Sequence, residues 1–265
     1  MKAILTLVSI SVFTVLTSQE NKTTAKIMYE ETITTSMSSN TTHYLLLFNE
    51  NSSIYEEVIE DENAVSSTQI KEQQMSKGNR INITPVRKKG LKKIFYNRAN
   101  TDFYYQSVVH SGEQVLLTKE EGNNINWKIQ EEFKDISGFK CQKAMGFFRG
   151  RNYTAWFTSE ISVPFGPWKL HGTPGLIIEA YDADQMIYVV AKHVSLNAND
   201  DVAFSDKIKE IDLTKAISME EKRKKEKELA QEFFDRISAS LPKGTKPLKV
   251  AENCEGCPKP LEIFD

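Results

Sequence analysis

The sequence predicts a mainly β protein, a curved antiparallel sheet or half-barrel shaped like a bowl, with one C-terminal amphipathic helix. Three observations carry this. Apolar and polar residues alternate at strand period through most of the chain, Asn-, Ser- and Gly-rich turns separate the alternating runs, and one 3.6-period apolar stripe appears near the C-terminus.

Taken in order, Met1-Lys2 precedes an apolar run, Ala3 to Leu16, and small polar residues Thr17 and Ser18. That is the pattern of a secretory signal peptide over residues 1–18. At about fourteen residues the run is short for a bilayer crossing, which needs roughly twenty. No second long apolar run follows, so no transmembrane segment is expected after signal cleavage. The expected location is exported: periplasmic, outer-membrane-associated or extracellular. The 34 basic and 36 acidic residues leave a formal charge of −2, which lacks the basic excess of a nucleic-acid binder.

Residues 19–241 then read as one β domain. Lys26 to Thr35, Thr42 to Asn49 and Ser52 to Val58 are three successive strands of a meander. About residues 60–92 form a polar insertion, expected as loop because its composition buries too little apolar surface to offset chain entropy. Strands resume at Lys93 to Arg98, Asp102 to Val109, Gln114 to Lys119 and Asn126 to Asp135. Phe139 to Phe147 and Tyr153 to Ile161 read as a hairpin across Gly150-Arg151-Asn152, with Tyr153, Ala155 and Phe157 on one face and Thr154, Trp156 and Thr158 on the other. Gly175 to Tyr181 and Met186 to Ser195 make a further hairpin, whose loop is Asp182 to Gln185.

The helix is expected over about 219–240. Ser218 and Glu221 form a capping-box pattern, and Leu229, Ala230, Phe233, Phe234 and Ile237 supply the stripe. Residues 242–265 read as an extended tail. Cys254 and Cys257 lie there as a CEGC disulfide candidate, without the βαβ context that makes such a pair redox-active, while Cys141 reads as a small buried hydrophobe.

Between the last two hairpins stands the densest punctuation of the chain, Phe165 to Asp184, FGPWKLHGTPGLIIEAYDAD. Gly166, Pro167, Trp168, Gly172, Thr173, Pro174, Gly175, Leu176 and Ile177 make two Gly/Pro corners that bracket a Trp anchor and then release an apolar strand. Together with Trp127, Gly138, Cys141, Ala144, Ala155 and Trp156 in this order, the stretch from 127 to 184 resembles the GLPGLI family, exported proteins found mainly in Bacteroidota and mostly of unknown function. Thr173 stands where the naming motif has Leu, which suggests a partly exposed side chain. The resemblance implies an antiparallel β bowl. That bowl is similar to the N-terminal module of some bacterial peptide-N-glycosidases and to half-barrel envelope carriers of lipoprotein acyl chains. It brings no catalytic residues.

Candidate ligand or rim residues are His171, Arg149, Arg151, Glu179 and Asp182. His171 sits between the corners, near Asp182 or Asp184 if the strands pair as the pattern suggests. Arg149 and Arg151 flank Gly150 and suit an anion at a hairpin tip. No catalytic residue is assigned. His43, His110, His171 and His193 lack metal-ligand spacing, so no metal and no cofactor is expected. The Asn-x-Ser/Thr sequons match what chance gives in a chain rich in these residues. The functional expectation is an envelope binding or carrier module for an apolar ligand, a lipid or a partner protein, without enzymatic activity. One alternative is a glycan or peptide hydrolase using carboxylates near the GTPGLI corner, which Glu179, Asp182 and Asp184 flank, while Glu131, Glu132 and Asp135 lie on one strand where carboxylates usually face solvent; another is a surface interaction module.

Overall fold

The computed structural model describes residues 25–35, 38–58, 69–73, 80–84, 92–108, 114–122, 124–196 and 204–240. The expected signal peptide, Cys254, Cys257 and the tail lie outside these residues. In chain order the elements are β1 (Ala25–Thr34), β2 (Ser39–Phe48), β3 (Ser52–Glu57), β4 (Gln69–Gln73), β5 (Arg80–Thr84), β6 (Lys93–Asn97), β7 (Asp102–Val108), β8 (Val115–Glu120), β9 (Lys128–Ile136), β10 (Phe139–Phe148), β11 (Arg151–Thr158), β12 (Leu176–Asp182), β13 (Ile187–Leu196), α1 (Phe204–Lys209), a 3-10 turn (Leu213–Lys215) and α2 (Met219–Ser240).

Eleven strands form one open antiparallel sheet in the order β8-β7-β6-β3-β2-β1-β13-β12-β11-β10-β9. β4 and β5 pair as a separate two-stranded ribbon inside the polar insertion, where composition predicted loop. From β1 in the middle of the sheet the strands run outward to the β8 edge; after β8 the chain crosses to the β9 edge and runs back to the middle. That crossing forces the curvature. Were the sheet flat, its edges would stand ~48 Å apart at the usual strand spacing. Yet Glu120 and Lys128 are joined by a connection that reaches at most ~28 Å when fully extended. The sheet therefore rolls until its two edges approach across a gap.

Alternation decides what faces inward. Ile27, Tyr29, Glu31 and Ile33 of β1 share a face with Tyr44, Leu46 and Phe48 of β2 and with Tyr55 of β3. On the second wing Ala144, Tyr153 and Ala155 face inward, and Ile178, Ala180, Val189 and Ala191 continue the surface. Except for Glu31 and Ile33, these residues and the inward side of β6 and β7 make the main apolar core. A smaller cluster lies on the convex side of the first wing, where Phe204 and Ile208 of α1 cover Leu47, Ile54 and Phe95.

The hairpin β10–β11 turns at Arg149-Gly150, one residue earlier than the pattern suggests, and both residues have positive φ (51° and 72°). A bulge between Trp156 and Phe157 ends the simple alternation of β11, so Trp156, Phe157 and Thr158 are all buried. The two sheet edges are protected differently. Along β8 the backbone of Ile217 pairs with the strand, donating to Leu117 O and accepting from Lys119 N at 2.9 and 2.8 Å. Along β9 the protection is charge, from Lys128, Glu131, Glu132, Lys134 and Asp135.

At the start of α2 the expected capping box is formed. Ser218 N–H donates to Glu221 Oε2 at 2.9 Å, and Glu221 N–H donates to Ser218 Oγ at 3.2 Å. These bonds hold the Glu221 carboxyl below its ordinary range.

Candidate functional site

The concave side of the bowl is filled by the irregular segment between β11 and β12, residues 159–175, which acts as a plug. Pro164, Pro167 and Pro174 lack the N–H that a ladder or helix needs, so this segment stays irregular. Both of its ends are fastened. Leu176 N–H donates to Ile161 O and Ile177 N–H to Phe165 O, each at 3.0 Å. Gly175 lies so close to β11 that a Cβ there would stand 2.0 Å from Thr158 O, and a Cβ on Gly166 would stand 2.8 Å from Leu170 O. Only glycine permits either approach.

Between these anchors the tip, residues 167–172, turns through Trp168 and Gly172 at φ +53° and +89°. Leu170 N–H donates to Pro167 O and Gly172 N–H to Pro164 O, each at 3.0 Å. Phe165 packs on Phe48 and Tyr96, with ring centroids at 5.6 and 5.9 Å. Trp168 packs on Phe148 and Tyr153 at 5.6 and 6.3 Å. Trp127, in the connection that crosses the gap, donates from Nε1 to His171 O at 2.7 Å. The plug thus touches both wings and the crossing connection.

Two ionisable side chains of the tip are buried. Lys169 Nζ bonds Glu120 Oε2 of β8 at 2.7 Å and lies 4.1 Å from the centroid of the Tyr105 ring. Arg149, from the β10–β11 turn, pairs with the other Glu120 oxygen. Glu120 therefore joins the first wing to the plug and to the second wing. His171 stands between Tyr96 and Phe103, each ring centroid at 5.0 Å. Its Nδ1–H donates to Lys169 O at 2.9 Å, which leaves Nε2 as the unprotonated nitrogen, buried and without a hydrogen-bond partner among the described residues. Burial holds the His171 pKa below the ordinary imidazole value, against a smaller opposite effect of the bond to Lys169 O.

At the rim a cleft of about 40 Å³ remains beside the plug, lined by Glu31, Ile33, Lys92, Tyr153, Trp168, Leu170, Ile187 and Val189. That volume suits one or two waters or a small chemical group, not an acyl chain. Its walls are mostly apolar, with Glu31, Lys92 and the Tyr153 hydroxyl as polar points. Lys92 Nζ donates to Tyr44 OH at 3.2 Å, and Tyr44 stacks on Tyr55 at 4.7 Å. Burial first, and the Glu31 charge second, push the Tyr55 phenol well above its ordinary range.

The residues singled out in the sequence divide among several places. Thr173 is buried, against the expectation of partial exposure, because its hydroxyl donates to Gly175 O at 2.6 Å and so closes the turn locally. Arg149 and Arg151 both meet carboxylates inside the bowl instead of flanking an open tip. Arg151 Nη1 bonds Asp182 Oδ2 at 2.7 Å, and Asp182 Oδ1 accepts the Ile187 N–H at 2.8 Å. His171 meets aromatic rings, not Asp182 or Asp184. Glu179 lies on the convex face, where Lys134 reaches it at 2.6 Å and Tyr188 OH donates to it at 3.3 Å. Glu179 and Asp182, three residues apart on one strand, face opposite sides of the sheet. Glu131, Glu132 and Asp135 are exposed on β9. Cys141 is fully buried, and burial pushes its thiol up to about 11, which keeps it unreactive.

Glu31, Lys92 and Tyr153 were not singled out by sequence reasoning. Glu31 had a visible signal: it occupies the inward register of Ile27, Tyr29 and Ile33, so a carboxylate falls on an apolar face. Among the described residues no three His, Cys, Asp or Glu side chains converge as a metal site, and no helix is long and apolar enough to cross a membrane.

No family model matches the chain, and no curated protein matches it. Among solved structures, PNGF-II in C2 and P21 crystals is 16% identical over 68% of this chain, with TM-scores of 0.46 and 0.47. The chain spans 29% and 30% of the PNGF-II chains it matches. An outer membrane lipoprotein-sorting protein domain from Vibrio parahaemolyticus is 8% identical, over 69% of this chain and 90% of that one, with a TM-score of 0.26. Likenesses this distant carry no argument about activity or ligand.

Proposed function

We propose that this chain is an exported envelope protein of the GLPGLI type that serves as a binding module, with the rim cleft as its binding site. The single observation that supports the cleft is its construction. Walls from β1, β11, β13 and the plug converge on one inward carboxylate, one lysine and one phenol. Export and family rest on residues 1–18 and on the Trp127 to Asp184 pattern. With the tip docked, the cleft accepts a short apolar group with a polar end, carried by a lipid or by a partner protein.

Binding is favoured over hydrolysis because Glu179 and Asp182 point to opposite faces and Asp182 is committed to Arg151. Paired carboxylates acting on one bond must share a cleft. The test is ligand-observed NMR with a panel of propyl to pentyl amines, carboxylates and phenols, beside native mass spectrometry on envelope extract. Binding that Glu31→Gln and Trp168→Ala each weaken at least tenfold is expected. No binding, or binding that both variants leave unchanged, overturns the reading.

A second reading, docking of a partner on the convex face, is favoured by Met145 and Phe147 of β10, exposed by 44% and 61%. Capture of one partner from envelope extract that Phe147→Ser abolishes would support it.

A further inference from the structure

The tip of the plug alternates in role along its sequence. Trp168 and Leu170 wall the rim cleft. Lys169 and His171, between and after them, are the buried ionisable residues that hold the tip against the other side of the bowl. A change at the docking residues therefore moves the cleft wall directly.

The two docking residues differ in how well the interior suits them. Lys169 has Glu120, and Glu120 has Arg149 as a second cation. His171 Nε2 has no hydrogen-bond partner among the described residues. The groups around it are the rings of Tyr96 on β6 and Phe103 on β7, and the Lys169 carbonyl is already taken by Nδ1. Trp127 of the crossing connection meets the His171 carbonyl, not the ring. On β8 the residue opposite Phe103 is Glu120, whose two oxygens are engaged by Lys169 and Arg149. On β7 the neighbouring Asp102 pairs with Lys119 at 2.9 Å. Burial raises the Tyr96 phenol above its ordinary range, against a smaller lowering by the charge of Arg98, one residue beyond β6. A proton at Nε2 would create a buried imidazolium N–H with no acceptor among the described residues in its docked position, a costly burial.

We infer that the plug tip, residues 167–172, is an acid-operated release for the rim cleft: a proton taken up at His171 Nε2 drives the tip out of its docked position and dismantles the cleft wall. The glycine-packed anchors at Gly166 and Gly175 keep the rest of the segment in place, so opening is confined to the tip. Its consequence for ligand rests on the reading of the cleft as the binding site; the motion itself does not.

Hydrogen exchange of the full chain, followed by mass spectrometry at pH 7.5 and pH 5 and corrected for intrinsic rates, tests this. An exposed imidazole titrates near 6.5, so proton uptake favours the undocked tip by up to about 30-fold at pH 5. Protection of residues 167–172 should fall by up to that factor while β12 and β13 keep theirs. His171→Phe, which fits the aromatic slot, and His171→Asn, which retains a donor to Lys169 O, should both remove the pH dependence. Unchanged protection in the wild type, or the same acid loss in either folded variant, overturns the inference. A separate titration with pentylamine, pentanoate and 4-ethylphenol at pH 7.5 distinguishes the two claims. No binding there with acid exposure intact sinks the cleft reading alone, and binding there without acid exposure sinks the release alone.

Discussion

Two ionic clusters lie inside the same bowl, and they are held in opposite ways. Arg151 and Asp182 belong to adjacent strands, and the Asp182 carboxylate accepts both the guanidinium and the Ile187 N–H that starts β13. Regular structure on each side fixes their positions before the side chains meet. Lys169 and His171 belong to an irregular tip, and one of their nitrogens, His171 Nε2, is buried without a hydrogen-bond partner among the described residues. The first cluster stabilises the sheet; the second sets where a movable segment rests. Polar groups buried in one protein can thus have different roles according to what carries them.

The comparison breaks most visibly if the strand-borne pair is cut. Asp182→Ala leaves Arg151 buried beside an incomplete partner set and should cost about 3–5 kcal/mol, read as a lowered urea midpoint at unchanged slope. Gly166→Ala presses a methyl onto Leu170 O and Ile177, and should cost about 1–3 kcal/mol. Its effect should appear as a shift in Trp168 emission as well as in stability, because it displaces the tip. Lys169→Met should cost less than about 1.5 kcal/mol, since Arg149 still neutralises Glu120 and a thioether fits between the Tyr105 and Trp168 rings. Equal losses in Asp182→Ala and Lys169→Met would erase the distinction.

The smallest expected effect is in the pH dependence of global stability. His171 has a folded-state pKa below its unfolded value, so the unfolded chain binds more protons as pH falls. The stability it contributes is complete above about 6.5 and declines as the pH drops below that value. Urea midpoints measured from pH 8 to pH 5 should fall in the wild type, and the part due to His171 should vanish in His171→Asn.

Much of this fold was legible in the sequence because period-two alternation directly reports a sheet with an inside and an outside. Ile27, Tyr29 and Ile33 announced an inward face, and Ser218 with Glu221 announced a helix start. What could not be read was where an irregular segment goes. Pro and Gly in residues 164–175 declare that the backbone turns, but a turn carries no periodicity to say that Trp168, Leu170 and His171 enter the bowl. Arg149 and Arg151 looked like charges on a hairpin tip because their partners, Glu120 and Asp182, are supplied by other strands of the rolled sheet. Thr173 looked exposed because its acceptor is a backbone carbonyl two residues away, a choice that side-chain polarity alone does not reveal. The ribbon β4–β5 escapes the pattern because its two strands are only five residues each and carry just Ile70, Ile81 and Ile83 as apolar residues.

The most direct test of the account is NMR titration of the His171 ring, with 15N and 13Cε1 labels, followed beside the amide shifts of residues 167–172. The account predicts a neutral Nδ1–H tautomer that persists below the ordinary imidazole range, then protonates together with a shift of the tip amides. An imidazole that titrates near 6.5 while the tip amides stay in place would contradict it.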